Sequence, residues 1–184
     1  REDGWTRVEC YSSSFHDSPV KVWNKLVQGY VESQYLRTVE PDPEFGIVID
    51  KLTQKLYLFH EGKLLTTLLV STGLVNKKQP YNETRSGEFL MQNPAVGGFT
   101  DGTMTCNYAI RFNDGDLLHE VPHTTGTADY SSFEGKLGNR ASHGCIRVQR
   151  RTTPEGINMK WIWNHRKNLT KLVIWEDWQG RQIS

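Results

Sequence analysis

Gly46-Ile47-Val48-Ile49-Asp50 and Lys55-Leu56-Tyr57-Leu58-Phe59 are two short runs rich in β-branched and aromatic residues, separated by polar ones. Glu61-Gly62-Lys63 then turns the chain into a third run, Leu64 to Ser71, and the three together read as hairpin-connected strands. Further out, Gly87-Glu88-Phe89-Leu90-Met91 gives another strand. Tyr108 to Phe112 and Asp116 to Val121 flank Asn113-Asp114-Gly115, whose Asp-Gly pair suits a tight turn. Leu172-Val173-Ile174-Trp175 closes the block with a final strand. One helix is expected: Thr152 or Thr153 caps it, Pro154 fits its first turn, and Ile157, Trp161 and Ile162 share a face. The pattern predicts a mainly β protein, a sandwich or barrel with one or two short helices.

Ahead of this block lies a smaller one. Trp5 to Val8, Val20 to Trp23 and Gly29 to Val31 read as short strands, and Glu40-Pro41-Asp42-Pro43-Glu44 reads as an acidic, proline-spaced linker. The expected organisation is a small β extension with its linker over residues 1–42, a main domain over 43–177 and a tail over 178–184. Val22 to Val31, followed by Ser33-Gln34-Tyr35-Leu36, resembles the closing strands of a bacterial SH3-like module, in which a Gly-Tyr-Val strand leads to a one-turn segment ending in Tyr-Leu. The other reading of these residues is an extension that packs on the main domain.

Composition narrows the function classes. The 184 residues include 22 Lys or Arg and 21 Asp or Glu, a net charge of +1, so no global basic field draws in nucleic acid. With 36% apolar and 11% aromatic residues the chain can bury a core, which excludes intrinsic disorder. The most apolar stretch, Leu64 to Val75, is interrupted by Thr66, Thr67, Ser71, Thr72 and Gly73, far short of the roughly 18 unbroken apolar residues of a spanning helix. Three cysteines, Cys10, Cys106 and Cys145, form neither a disulfide framework nor a Cys-x-x-Cys clip. The chain begins at Arg1 with no charged-then-apolar leader, which reads as a processed chain or an excised piece.

The chemistry concentrates in Ala141-Ser142-His143-Gly144-Cys145-Ile146-Arg147. A cysteine attacks as the thiolate, so a nucleophilic Cys145 needs an imidazole within hydrogen-bond reach. Gly144 lets the backbone turn sharply and present main-chain N–H groups to a carbonyl oxygen, the basis of an oxyanion hole. Arg147 supplies a fixed positive charge suited to a bidentate grip on a substrate carboxylate. Arg140, Arg147, Arg150 and Arg151 form a basic strip flanking the cysteine.

Ser142-His143-Gly144-Cys145-Ile146-Arg147 resembles the signature of the L,D-transpeptidases, the YkuD-type catalytic domain that remodels bacterial peptidoglycan. In that family a histidine ends a strand some 14 to 17 residues before Ser/Thr-His-Gly-Cys. Asp116-Leu117-Leu118-His119-Glu120-Val121-Pro122 resembles the family's apolar-apolar-His-x-x-Pro strand end, and Leu137-Gly138, Thr72-Gly73 and Arg85-Ser86-Gly87 add to the likeness. Two features depart from it. The spacer from His119 to Ser142 holds 22 residues and that from His123 holds 18, so the count favours His123 while the strand context favours His119. Glu120 stands where the family commonly has Gly or Ser.

The resemblance implies a two-step acyl transfer with no cofactor. Cys145 attacks a tetrapeptide stem and expels D-Ala, His119 moves the protons, His143 orients and polarises the nucleophile loop, Ser142 holds the base through hydrogen bonding, and Gly144 shapes the oxyanion hole. Arg147 reads a stem carboxylate, with His123 and Tyr108 as further substrate contacts, although Tyr108 reads first as a core residue. An amine acceptor then gives a 3→3 cross-link, whereas water makes the protein a carboxypeptidase. Carbapenem-type β-lactams are the implied covalent inhibitors, and the peptidoglycan substrate implies a secreted, periplasmic or wall-associated location. The rival readings are a cell-wall cysteine peptidase or amidase and a non-catalytic wall-binding module. Zinc ligation by His119, His123, His143 and Cys145 is disfavoured, because Ser-His-Gly-Cys lacks the usual ligand spacing. Cys106 is expected to pack, and most of the six tryptophans to serve as framework.

Overall fold

The structure, a computed structural model, describes residues 3–11, 26–74, 78–91, 96–113 and 115–175. The expected strand Val20 to Trp23 and the turn residue Asp114 lie outside the described residues. The chain opens with an antiparallel pair, β1 (Trp5–Tyr11) and β2 (Leu26–Glu32), followed by a 3-10 turn at Ser33–Tyr35. These two strands form a sheet of their own.

The main sheet starts with the meander β3 (Asp42–Asp50), β4 (Lys55–His60) and β5 (Lys63–Ser71). Strict alternation drives it. Ile47 and Ile49 of β3, Leu56 and Leu58 of β4, and Leu68 and Val70 of β5 are all buried, and the register pairs Ile47 with Leu58 and Ile49 with Leu56. Each fully buried Leu or Ile contributes about 1.5–3 kcal/mol, so this face alone anchors the core. β3 begins earlier than Gly46 and takes in three of the five residues of the expected linker. The Asp42 N–H donates to the Leu169 carbonyl at 3.1 Å, which draws Asp42-Pro43-Glu44 in beside Thr170.

Next come β6 (Gly87–Leu90), β7 (Gly97–Asp101), β8 (Met104–Arg111), β9 (Leu117–Glu120) and the two-residue β10 (His123–Thr124). The single turn α1 (Ser131–Glu134), β11 (Ile146–Val148), α2 (Met159–His165) and β12 (Thr170–Trp175) complete the described chain. The strand order is β10-β8-β9-β11-β5-β4-β3-β12-β6, with β7 also on β8. Pairing is antiparallel except for β11 on β9 and β12 on β3. The fold is mainly β with two short helices, as its alternating pattern predicts.

The helix α2 starts later than expected. Gly156, with φ +80°, closes a turn in which its N–H bonds the Thr153 carbonyl at 2.9 Å, so neither Thr152 nor Thr153 caps the helix. Asn158 does, its side chain accepting from the Trp161 N–H at 3.0 Å. Ile157 and Ile162 are buried under it, and Trp161 packs against the core.

Candidate active site

All four residues of β9 are buried, which fits a strand covered on both faces beside a parallel neighbour. The parallel register sets Leu118 beside Ile146, His119 beside Arg147 and Glu120 beside Val148. Cys145 stands one position before β11 and therefore alongside Leu117, whose backbone N–H hydrogen-bonds the cysteine sulfur. Strands lie about 4.8 Å apart and rise about 3.3 Å per residue, so His119 and Cys145 are one diagonal step apart, about 8 Å between Cα atoms. His119 shares a face with its register partner Arg147, and Cys145, two residues before Arg147, continues that face.

His119 is 2% exposed, and its Nδ1 lies 2.6 Å from the Glu120 carbonyl oxygen. A carbonyl only accepts, so Nδ1 carries the proton and Nε2 keeps its lone pair. Burial lowers the imidazole pKa to about 4, the Glu120 carbonyl opposes that shift and the Arg147 charge adds to it. The Phe99 ring of β7 meets it edge to face, centroids 5.6 Å apart.

Cys145 is half-buried. Burial pushes its thiol pKa up, the Asp116 carboxylate pushes the same way, and the Leu117 N–H and Arg147 pull it down. A raised thiol beside a lowered imidazole is a neutral pair at rest. Burial of both groups thus disfavours a standing thiolate–imidazolium pair.

The loop carrying the cysteine is folded by Ser142, whose hydroxyl donates to the Cys145 carbonyl at 2.5 Å and accepts from the Gly144 N–H at 3.2 Å. The Ser142 side chain therefore orders the loop itself and not the base. Gly144 has φ +132°, and a Cβ there would stand 2.5 Å from Asp116 Oδ1, so glycine is required twice over. The Ala141 and Ser142 N–H groups both donate to the Thr72 carbonyl, at 2.9 and 3.0 Å, and Gly73 bridges to Ser142. His143 is exposed at the loop tip.

Other expected residues take different places. The Arg147 side chain is turned inward: it is 5% exposed, its Nη1 donates to the Ala141 carbonyl at 3.1 Å, and its guanidinium lies 5.5 Å from the Phe133 ring centre. That charge braces the loop that carries Cys145. Tyr108 packs on the framework, its ring 6.1 Å from that of Trp163 on α2. Its φ of +56° is costly for a bulky residue and falls at the bulge between Asn107 and Ala109, where the β7–β8 register shifts. His123 leans on the Tyr130 ring, centroids 5.1 Å apart, and its Nδ1 faces the Thr124 carbonyl at 3.2 Å. Tyr130 in turn donates its hydroxyl to Glu120 Oε1 at 3.3 Å, so Glu120 sends its side chain to Tyr130 and only its carbonyl to His119.

Cys106 is fully buried on β8, and burial together with the nearby Cys145 raises its pKa to about 12. Among the described residues no three of His, Cys, Asp and Glu converge as metal ligands. The sequence reading missed Asp116, Thr72 and Thr84 as parts of this site. Only the position of Asp116 at the start of the His119 strand, and of the two threonines beside Gly73 and Arg85, could have signalled them.

The geometry agrees with what this chain is similar to. The YkuD family, L,D-transpeptidase catalytic domain, matches residues 44–174. YciB of Bacillus subtilis (strain 168), itself named only provisionally as an L,D-transpeptidase, is 31% identical over 130 residues, which cover 66% of this chain and 60% of YciB. An L,D-transpeptidase from Mycobacterium smegmatis superposes with TM-score 0.53 at 19% identity, over 72% of this chain and 59% of that one. L,D-transpeptidase 3 from Mycobacterium tuberculosis, solved with a faropenem-derived adduct, superposes with TM-score 0.50 at 17% identity, over 73% and 61%. The chain thus spans about 60% of the length of these proteins. With the Ser142-His143-Gly144-Cys145 loop on a parallel strand beside His119, and the match running from β3 to β12, the chain belongs to the YkuD family of L,D-transpeptidase catalytic domains.

Proposed function

We propose that this chain catalyses acyl transfer through Cys145 on peptidoglycan stem peptides, with His119 as the base. The observation that carries the reading is the β9–β11 register, which sets a histidine with a free Nε2 one diagonal step from the cysteine. Attack of the Cys145 sulfur on the donor carbonyl forms the C–S bond as the thiol proton passes to His119 Nε2. The tetrahedral oxyanion is met by the Cys145 main-chain N–H, the Gly144 N–H being held by Ser142. Collapse breaks the C–N bond, and the proton on Nε2 goes to the departing D-Ala amine, leaving a thioester. The amine of a second stem attacks next and gives its proton to Nε2. The thiolate leaves and recovers that proton, and the product is a 3→3 cross-link. Water in place of the amine gives a carboxypeptidase.

Arg147 acts from behind the loop, holding Ala141 and lending positive charge to the sulfur. Substrate contact by Tyr108 would need its ring to leave Trp163. A peptidoglycan substrate puts the protein outside the cytoplasm, and a β-lactam ring opened by Cys145 would leave an adduct, as the faropenem-derived adduct on the Mycobacterium tuberculosis relative suggests.

The test is incubation with a disaccharide-tetrapeptide and with faropenem, each read by mass. Loss of D-Ala with a dimer product, and one adduct on Cys145, are expected. A protein that releases no D-Ala and takes no adduct overturns the reading.

A further inference from the structure

Thr84 is 0% exposed and lies between the two sides of the nucleophile loop. Its hydroxyl accepts from the Gly73 N–H at 2.9 Å and donates to the Gly144 carbonyl at 2.7 Å. Its own carbonyl accepts from Lys51 Nζ at 3.0 Å, and that ammonium, on a side chain 1% exposed, is paired with Glu83 Oε1 at 2.8 Å. Gly73 also bridges to Ser142, and the Leu74 N–H donates to the Ser142 carbonyl at 2.8 Å. Gly73 lies so close to this segment that a Cβ on it would overlap the Asn82 carbonyl.

Packing alone does not account for the hydroxyl, since valine has the same shape. The peptide joining Gly144 to Cys145 is planar and trans, so the Gly144 oxygen and the Cys145 N–H point in opposite directions. Fixing the oxygen on Thr84 therefore fixes the direction of the N–H. Cys145's own N–H is among the groups that stabilise its sulfur as thiolate, which sets that donor on the reacting side.

We infer that Thr84 is a positioning residue for acyl transfer: its hydroxyl sets the plane of the Gly144–Cys145 peptide and so aims the Cys145 N–H at the substrate oxyanion. The inference rests on the acyl-transfer reading above and assigns the buried Lys51, paired with the partly exposed Glu83, as the anchor that keeps the Thr84 segment in place. Preorganised donors of this kind act without reorganising at the moment of reaction.

The test compares two reactions of the same sulfur in wild type, Thr84→Val and Thr84→Ser. Acylation by faropenem develops an oxyanion, whereas alkylation by iodoacetamide at a saturated carbon does not. Thr84→Val is expected to slow acylation by about 10- to 100-fold, with Thr84→Ser restoring it to within about threefold and alkylation of both changed by less than about threefold. Should Thr84→Val fail to fold, Thr84→Ala gives the same comparison. Acylation of the valine variant at the wild-type rate overturns the inference. So does an equal fall in acylation and alkylation, which would mark a merely structural role. A wild-type protein that is alkylated but never acylated removes the acyl-transfer reading itself, and the inference with it.

Discussion

His119 Nδ1 and the Glu120 carbonyl oxygen stand 2.6 Å apart, and this contact between neighbours decides which ring nitrogen is available for chemistry. Because the acceptor is backbone, the Glu120 side chain is not part of it. His119→Ala is expected to lower faropenem acylation by about 10²- to 10⁴-fold. His123→Ala and Glu120→Gln should each stay within about fivefold of wild type, as substitutions outside the reacting groups. A larger loss in His123→Ala than in His119→Ala would exchange the two roles.

The lowered His119 pKa sets an acid limb. The imidazole stays unprotonated down to about pH 4, so the second-order acylation rate should begin to fall near there and not near 6.5. A rate profile between pH 3.5 and 8 checks this.

The same group links stability to pH. Between pH 6.5 and 4 the unfolded chain binds a proton at residue 119 that the folded chain refuses. Its contribution is complete above 6.5 and lost as pH falls through 4. The cost on going from pH 7 to 5 is about 2 kcal/mol. The buried Asp116 and Glu120 carboxyls, both raised by burial, work in the opposite direction, since they take up protons in the folded state first. His119→Gln should therefore flatten the fall in urea midpoint between pH 7 and 5, whereas an unchanged slope would refute the linkage.

Gly73 and Gly46 make a matched pair for steric need. A Cβ on Gly73 would stand 1.7 Å from the Asn82 carbonyl oxygen and 2.7 Å from the Thr84 nitrogen, whereas one on Gly46 meets nothing within 4 Å. Gly73→Ala should cost about 3 kcal/mol by thermal melting, and Gly46→Ala under about 0.5 kcal/mol.

Cys106, with its pKa near 12 and no exposure, should resist iodoacetamide at neutral pH while the exposed Cys10 and half-buried Cys145 react. Peptide mapping before and after urea unfolding checks this, and Cys106 labelled in the folded protein would refute it.

The β3–β5 meander was legible because burial repeats every second residue, and that period is visible in the letters alone. β7 was not, because Gly97-Gly98 carries no β signal and its pairing depends on β8. β11 was read only as a motif, since three residues are too few to show a period. At the site, a spacer count and a strand context pointed to different histidines, and it is the register that sets His119 beside the nucleophile strand. Lys51 sits in a polar turn and reads as solvated, yet it is buried against Glu83 and Thr84, segments distant in sequence. Polar residues enter a core only through partners that no local pattern announces.

The β9–β11 ladder also frees the chain between them. Strand alignment and not contour length sets His119 alongside the Cys145 strand, so the number of residues between Thr124 and Asn139 does not itself fix their pairing. A slip of a single residue in either strand would instead rotate one partner to the far side of the sheet. The segment above the two strands can thus differ in length while their alignment stays the same.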